Sequence, residues 1–401
     1  MEGTPLDGIR ILALEQMQAL PFATQLLARL GADVVKIEST HGDQGRTALP
    51  AITDPDGRTV GATFLRNNLN KRSVCVDLKN PRGRDLVLEL APHFDVVAEN
   101  SRPGAMAKLG LGYEDIVAVH PTVVYLSVSG FGNSVPSPYR EWPAFASIVE
   151  SMSGIYEMKR PEGRPPTMAP VGALGDISAA LFATIGVLAA LRQRDLTGKS
   201  QYIDIAMLDS VVAMTDIVTN FWSLGSSASH TGKLILDGFR AKDGWFVIQV
   251  GREHQFARLA QLIGRPEWVD DPRFATRAGW LEHLESVIRP AIEEWAAART
   301  KVEICHVFAD AGIAAGPCFT DEEVARDPHL EARDMMVRMP RPDDPDRPVL
   351  IPGNPVKISG MPAVQDRRVP WLGEHTDAVL QEELGLSGAE IEVLRADSVI
   401  V

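Results

Sequence analysis

Cysteine is scarce in this chain, with three in 401 residues, at Cys75, Cys305 and Cys318. Their number and wide spacing exclude a disulfide framework and a zinc pattern, and they predict a reducing, cytoplasmic setting. Positive charge is in deficit. Forty Lys+Arg stand against 53 Asp+Glu, a net charge of −13, which argues against nucleic acid or an anionic membrane as partner. A small polyanion stays open, because it needs only a local basic pocket. Long apolar runs are also missing. The longest, 177–191 between Asp176 and Arg192, is too short for a span and reads as a buried helix. The opening residues, Met1 to Pro5, carry no basic segment followed by an apolar one, so no secretory signal is expected.

Familiar catalytic signatures fail as well. Thr197-Gly198-Lys199-Ser200 resembles the end of a P-loop, but Gln193 stands where its first glycine belongs. Gly130-Phe131-Gly132 is a lone pair of glycines without the third of a dinucleotide fingerprint. The nine histidines show no ligand spacing, and His306 beside Cys305 reads as a packing or surface residue. No metal site is expected.

What is present is size and rhythm. The length suits two or three domains with a real core. Short β-branched runs at 9–14, 34–37, 73–78, 95–98, 122–128 and 201–205 alternate with helical patterns at 22–30, 82–94, 147–155, 176–191 and 206–222. That alternation predicts an α/β fold, a Rossmann-like large domain with a mainly parallel sheet. A Gly/Ser-rich break at 225–229 marks a boundary. The expected division is a large domain of 1–224 and 331–401 with a smaller inserted domain, 225–330. Prolines make 339–355 an extended crossing segment, and the last thirty residues read as helical.

A distributed pattern then emerges along the chain. It runs from Pro5-Leu6-Asp7-Gly8 through Leu27 to Glu38, Gly42-Asp43 with Arg46, Asn70-Lys71-Arg72, and Asn100-Ser101-Arg102-Pro103-Gly104 with Leu109-Gly110. It continues with Ser129-Gly130-Phe131-Gly132, Gly172-Ala173-Leu174-Gly175-Asp176 and Leu372-Gly373-Glu374-His375-Thr376. In this order the pieces resemble the class III CoA-transferase family, the CaiB/BaiF-like enzymes. The resemblance implies transfer of coenzyme A from an acyl-CoA donor to a carboxylic acid, with CoA as substrate and no permanently bound cofactor. It also implies an interlocked homodimer. Asp176 stands at the family's nucleophile position, which passes through an aspartyl anhydride and an aspartyl-CoA thioester. Gln18 matches a glutamine placed beside that carboxylate. Arg46, Asn70, Lys71, Arg72, Asn100, Arg102, Lys108 and Leu109 are the candidates for the CoA cleft.

Residue chemistry is compatible with these roles. Asp176 follows a glycine and opens an apolar helix, where backbone N–H groups favour a carboxylate, and a carboxylate can act as a covalent nucleophile. An aspartate at that place is also a common helix cap, and the cations are the kind often found simply solvated at a surface. Ser129, Phe131 and Thr47 depart from the residues of the oxalate-handling branch, and the glycine run of its mobile loop is missing, with 225–232 as the nearest counterpart. Two alternatives stay open. An α-methylacyl-CoA racemase needs an acid/base pair, but Phe145 and Ala146 occupy the positions of its histidine and aspartate. A non-catalytic acyl-CoA-binding protein would keep the fold without turnover. Tyr139 to Phe145 and Ile155-Tyr156-Glu157 are expected to shape the acyl pocket, with Arg140 facing the far carboxylate of a short dicarboxylic acid or simply paired with Glu141.

Overall fold

A computed structural model describes residues 3–401 except 159, 161, 226–233, 342, 345 and 363. The expected loop at 225–232 therefore falls, beyond Gly225, outside the described residues. Two compact units are present, one built from Met1–Asn220 with Glu331–Val401 and one from Phe221–Leu330.

The first unit is organised by six strands: β1 (Arg10–Leu14), β2 (Asp33–Glu38), β3 (Lys71–Cys75), β4 (Val96–Glu99), β5 (Val124–Ser129) and β6 (Gln201–Ala206). All pairings are parallel, in the order β3-β2-β1-β4-β5-β6. Apolar side chains alternate between two cores. Ile11, Ala13, Val34 and Leu126 face one, and Leu12, Leu14, Val35 and Tyr125 face the other. A sheet buried on both sides explains the nearly continuous β-branched runs of its strands. The chain proceeds outward from β1 in one direction and from β4 in the other. The crevice for a ligand in such a sheet lies at that reversal, beyond the strands' carboxyl ends.

Helices fill both faces: α1 (Ala19–Arg29), α2 (Pro81–Leu90), α3 (Ala105–Leu109), α4 (Ala146–Met152), α5 (Leu174–Thr197) and α6 (Met207–Ala213). Pro81 opens α2, where its missing N–H has no cost, and Asn80 caps it. α5 is longer than the apolar run 177–191 suggests, because Leu174 and the polar turn to Thr197 join it before Gly198 ends it in a left-handed conformation. By length and composition alone α5 could cross a membrane, yet half of its apolar stretch is buried, with Ala179, Ala180, Ala183 and Val187 in the core. The helix expected over 206–222 breaks instead after Ala213. There the Thr215 N–H and hydroxyl both donate to the Val212 carbonyl, at 3.0 and 2.8 Å, and that local bonding closes the helix.

The second unit is an antiparallel sheet of β7 (Ile235–Ala241), β8 (Gly244–Val250) and β9 (Ala314–Pro317), with β8 central. Its core contains Phe239, Phe246 and Phe308, and Trp280 stacks on Phe256 with ring centroids 4.6 Å apart. Returning to the first unit, β10 (Met336–Met339) pairs antiparallel with β11 (Val349–Pro352). Finally α7 (Thr376–Leu384) and α8 (Gly388–Ala396) supply Val379, Leu380, Ile391 and Leu394 to the core beside β3.

A close approach sets the position of α5. A Cβ built on Gly175 would lie 2.7 Å from Val149 Cγ2 and 2.9 Å from Ala146 Cα, so α4 rests against the first turn of α5. Gly175→Ala is expected to lower stability by about 1–3 kcal/mol, as overpacking does. Urea unfolding checks this, and an unchanged midpoint would contradict the packing described.

Candidate active site

A helix that links two parallel neighbours runs back along the sheet, so it starts where the preceding strand ends. α1 follows β1 and α5 precedes β6, which brings both amino termini to the carboxyl edge of the sheet. Asp176 is the third residue of α5, and the backbone N–H of Ala19, the first residue of α1, favours the charge of its carboxylate. Two helix N-termini therefore converge on one carboxylate, an arrangement that by itself favours the ionised form. The opposite tendency wins. Burial, followed by the negative charge of Glu150, pushes the Asp176 carboxyl up to about 6 against the pull of the N–H donors.

Glu150 lies on α4 and is 1% exposed. Its Oε1 accepts the Gly175 N–H at 3.0 Å, and its Oε2 accepts the Tyr156 hydroxyl. Tyr156, expected to shape the acyl pocket, is buried. Sequence reasoning missed Glu150. The only available signal was an acidic residue in an otherwise apolar stretch, Ile148-Val149-Glu150.

Gln18 is half-buried at the start of α1, next to the Ala19 donor, and its side chain makes no hydrogen bond capping that helix. The turn before it is tied on three sides. Gln16 exchanges two hydrogen bonds with Asn100, at 3.0 and 2.9 Å, across the reversal between β1 and β4. Met17, held at a φ of 63°, donates its N–H to Asp43 Oδ1 at 2.9 Å. Glu15 accepts from Thr24 Oγ1 at 2.7 Å and from Lys71 Nζ at 2.6 Å.

The expected phosphate cations divide into two groups. Lys71 is fully buried, and its three donors go to Glu15, the Pro21 carbonyl and Asn68. Burial lowers it to about 8 despite Glu15. Arg46 bonds both oxygens of Glu38, donates to the Pro370 carbonyl at 3.1 Å and lies over Phe64. Beside them Lys36, fully buried, donates to Asp43 at 2.7 Å. Burial opposes its charge, but Glu15, Asp43 and Glu38 together raise it. Arg72 sits at the opposite, amino edge of the sheet, paired with Asp33 and Glu382. Asn70, buried at a φ of 66°, is bonded to Asp366 and the Arg367 N–H. The donors of Arg46, Asn70, Lys71 and Arg72 thus serve carboxylates and carbonyls of this chain. Arg102 and Lys108 are exposed, on the loop after β4 and on α3. Leu109 packs against the second core, and Asn100 holds the Gln16 backbone. The structure thus brings Asp176, Gln18 and Asn100 to the carboxyl edge, with Arg102 and Lys108 following β4, and places Arg72 apart from them.

A model of CoA-transferase family III matches residues 6–376. Over 99% of this chain and 98% of the relative, it is 35% identical to a succinyl-CoA–D-citramalate CoA-transferase from Chloroflexus aurantiacus. Over 100% of both chains, it is 32% identical to a formyl-CoA:oxalate CoA-transferase from Streptomyces coelicolor. Among solved structures it is similar to a CaiB/BaiF family protein from Brucella suis, with a TM-score of 0.84 and 33% identity over 95% of this chain and 100% of that one.

A carboxyl raised from its ordinary 3.8 to about 6 costs stability while ionised. The cost is present above pH 6 and vanishes as pH falls below 4. Asp176→Asn is therefore expected to stabilise the protein at pH 8 by up to about 3 kcal/mol, with the gain fading toward pH 4. Urea unfolding at both pH values measures this, and a gain independent of pH would contradict it.

Proposed function

The chain belongs to CoA-transferase family III, and on that premise we propose that Asp176 is the nucleophile that carries coenzyme A between two acids. The observation that supports this reading best is the place of Asp176: a half-buried carboxylate at the convergence of two helix N-termini, made basic by its surroundings. A carboxyl poised near neutral pH is both ionised enough to attack and basic enough to be a competent nucleophile.

In the proposed cycle an Asp176 oxygen attacks the thioester carbonyl carbon. The C–S bond breaks, CoA leaves as thiolate, and an acyl-aspartyl anhydride remains. The thiolate then attacks the Asp176 carbonyl carbon, releasing the donor acid as carboxylate and leaving an aspartyl-CoA thioester. The acceptor carboxylate displaces CoA from that thioester, and the thiolate takes the new acyl group, restoring Asp176. The amide of Gln18 is assigned to the oxyanion that develops on the carbonyl under attack. Arg102 and Lys108 are assigned to the CoA phosphates, Asn100 to the turn that frames the cleft, and Leu109 to its wall. Coenzyme A enters as substrate, and no resident cofactor is assigned.

For the acid we infer a short dicarboxylate. Similar proteins are named for D-citramalate, as above, and for glutarate, the latter a mouse enzyme 33% identical over 99% of this chain and 90% of the relative. Tyr139, Trp142 and Phe131 form a ring contact series on the loop leading into α4. Arg140 on that loop makes no ion pair with Glu141 among the described residues, and we assign it to the distal carboxylate. Phe145, 71% exposed at the start of α4, has no proton to exchange, which disfavours racemisation.

Leu181, Ile185, Leu188 and Leu196 lie exposed along one side of α5. We assign that stripe to a second copy of the chain, as an interlocked homodimer requires. The three cysteines are free, in keeping with a cytoplasmic location.

Incubation with succinyl-CoA followed by hydroxylamine is expected to abolish activity and to leave a hydroxamate on Asp176, read by peptide mass spectrometry. Turnover with an unmodified Asp176 would overturn the mechanism. Tight CoA binding without turnover across a panel of acids would mark a binding protein instead.

A further inference from the structure

One buried carboxylate beside the nucleophile is not used by the transfer cycle. Glu150 is 1% exposed and, among the described residues, stands in no ion pair. Both of its oxygens accept hydrogen bonds, from the Gly175 N–H and the Tyr156 hydroxyl. Both oxygens are thus fixed by donors of this chain. An anion buried without a cation is costly, and this one is fastened to the residue next to Asp176. It also occupies an N–H of the α5 first turn that would otherwise favour charge on Asp176.

We propose that Glu150 is a positioning residue for the transfer: a fixed buried anion that holds the first turn of α5 and disfavours the free carboxylate of Asp176 relative to its acylated states. The proposal rests on Asp176 being the nucleophile. When an Asp176 oxygen attacks the thioester and the C–S bond breaks, the negative charge departs with the CoA thiolate. The anhydride and the aspartyl thioester are both uncharged. Repulsion from Glu150 therefore acts on the free enzyme and is relieved in each covalent state, so it promotes acylation without touching the substrate.

The other elements packed near Asp176 do not duplicate this effect. α1 brings the uncharged Gln18 and the Ala19 N–H. α4 and the turn after it bring Glu150 and Tyr156, whose hydroxyl is pushed up to about 12 by burial and by Glu150, so it stays a neutral donor. α6 carries Asp209, raised by its own burial and by Asp204, and among the described residues Glu150 is the charge that acts on Asp176.

The test is Glu150→Gln in the full chain, which keeps the shape and an acceptor oxygen but removes the charge. The expected result is a pH midpoint for acylation by succinyl-CoA about one unit lower than in the unaltered protein. The ratio of acylated to free enzyme at fixed succinyl-CoA and CoA should fall about tenfold, since one unit corresponds to a factor of ten, with KM for succinyl-CoA unchanged. Tyr156→Phe removes one of the two donors that hold the Glu150 carboxylate in place, and should shift both quantities in the same direction by less. If Glu150→Gln does not fold, Tyr156→Phe decides: a shift supports the proposal, and wild-type values overturn it. A folded Glu150→Gln protein with a wild-type midpoint and wild-type adduct level, altered only in thermal stability, also overturns it. That outcome would leave Asp176 as nucleophile untouched. An unaltered protein that never forms an adduct would remove the nucleophile reading first and this proposal with it.

Discussion

The contact between the first turn of α5 and α4 is the constraint on which the site depends. Gly175 lets α4 approach until Ala146 and Val149 touch the α5 backbone, and the Gly175 N–H then finds Glu150. With that turn fixed, the Ala19 N–H at the start of α1 favours the charge of Asp176. Two effects then compete at one carboxylate. Helix termini stabilise its charge, while burial and Glu150 oppose it, and the opposing pair dominates. A basic, partly desolvated carboxylate is the result, and its chemistry follows from that balance.

The turn between β1 and α1 is held from the other side by a buried ionic network. Glu15, Lys36, Asp43 and Lys71 are all buried, and each cation is satisfied by at least two oxygens. Pairs of this kind contribute little net stability compared with apolar packing, but removing one partner is severe. Here the network fixes where the chain turns. Glu15 holds Lys71, Asp43 holds the Met17 N–H, and Asn100 holds Gln16. The turn that ends in Gln18 and Ala19 is thereby anchored to β2, β3 and β4 together.

Much of this was legible in the sequence. The alternation of β-branched runs with helical patterns pointed to a parallel sheet, and Gly175-Asp176 before an apolar run placed Asp176 at a helix start. The partners of the cations were not legible, for a physical reason: a lysine or arginine in sequence does not reveal whether a carboxylate lies beneath it. Lys71 and Arg46 bond to Glu15 and Glu38, and those pairings depend on strand register rather than on local pattern. Glu150 was invisible for the same reason. Its partners, Gly175 and Tyr156, become neighbours only when the α4 turn folds beneath α5. The break after Ala213 was also hidden, because it depends on a threonine hydroxyl choosing a nearby carbonyl.

The central claim is that the transferred coenzyme A rests, in turn, on the carboxyl group of Asp176. Oxygen accounting tests it directly. Each cycle releases one Asp176 oxygen with the donor acid and replaces it with one from the acceptor, so turnover with an acceptor acid labelled with 18O in its carboxylate should deposit label in Asp176. Peptide mass spectrometry after turnover is expected to find 18O at Asp176 and at no other carboxylate. Full conversion of the acceptor with no label in Asp176 would contradict the account.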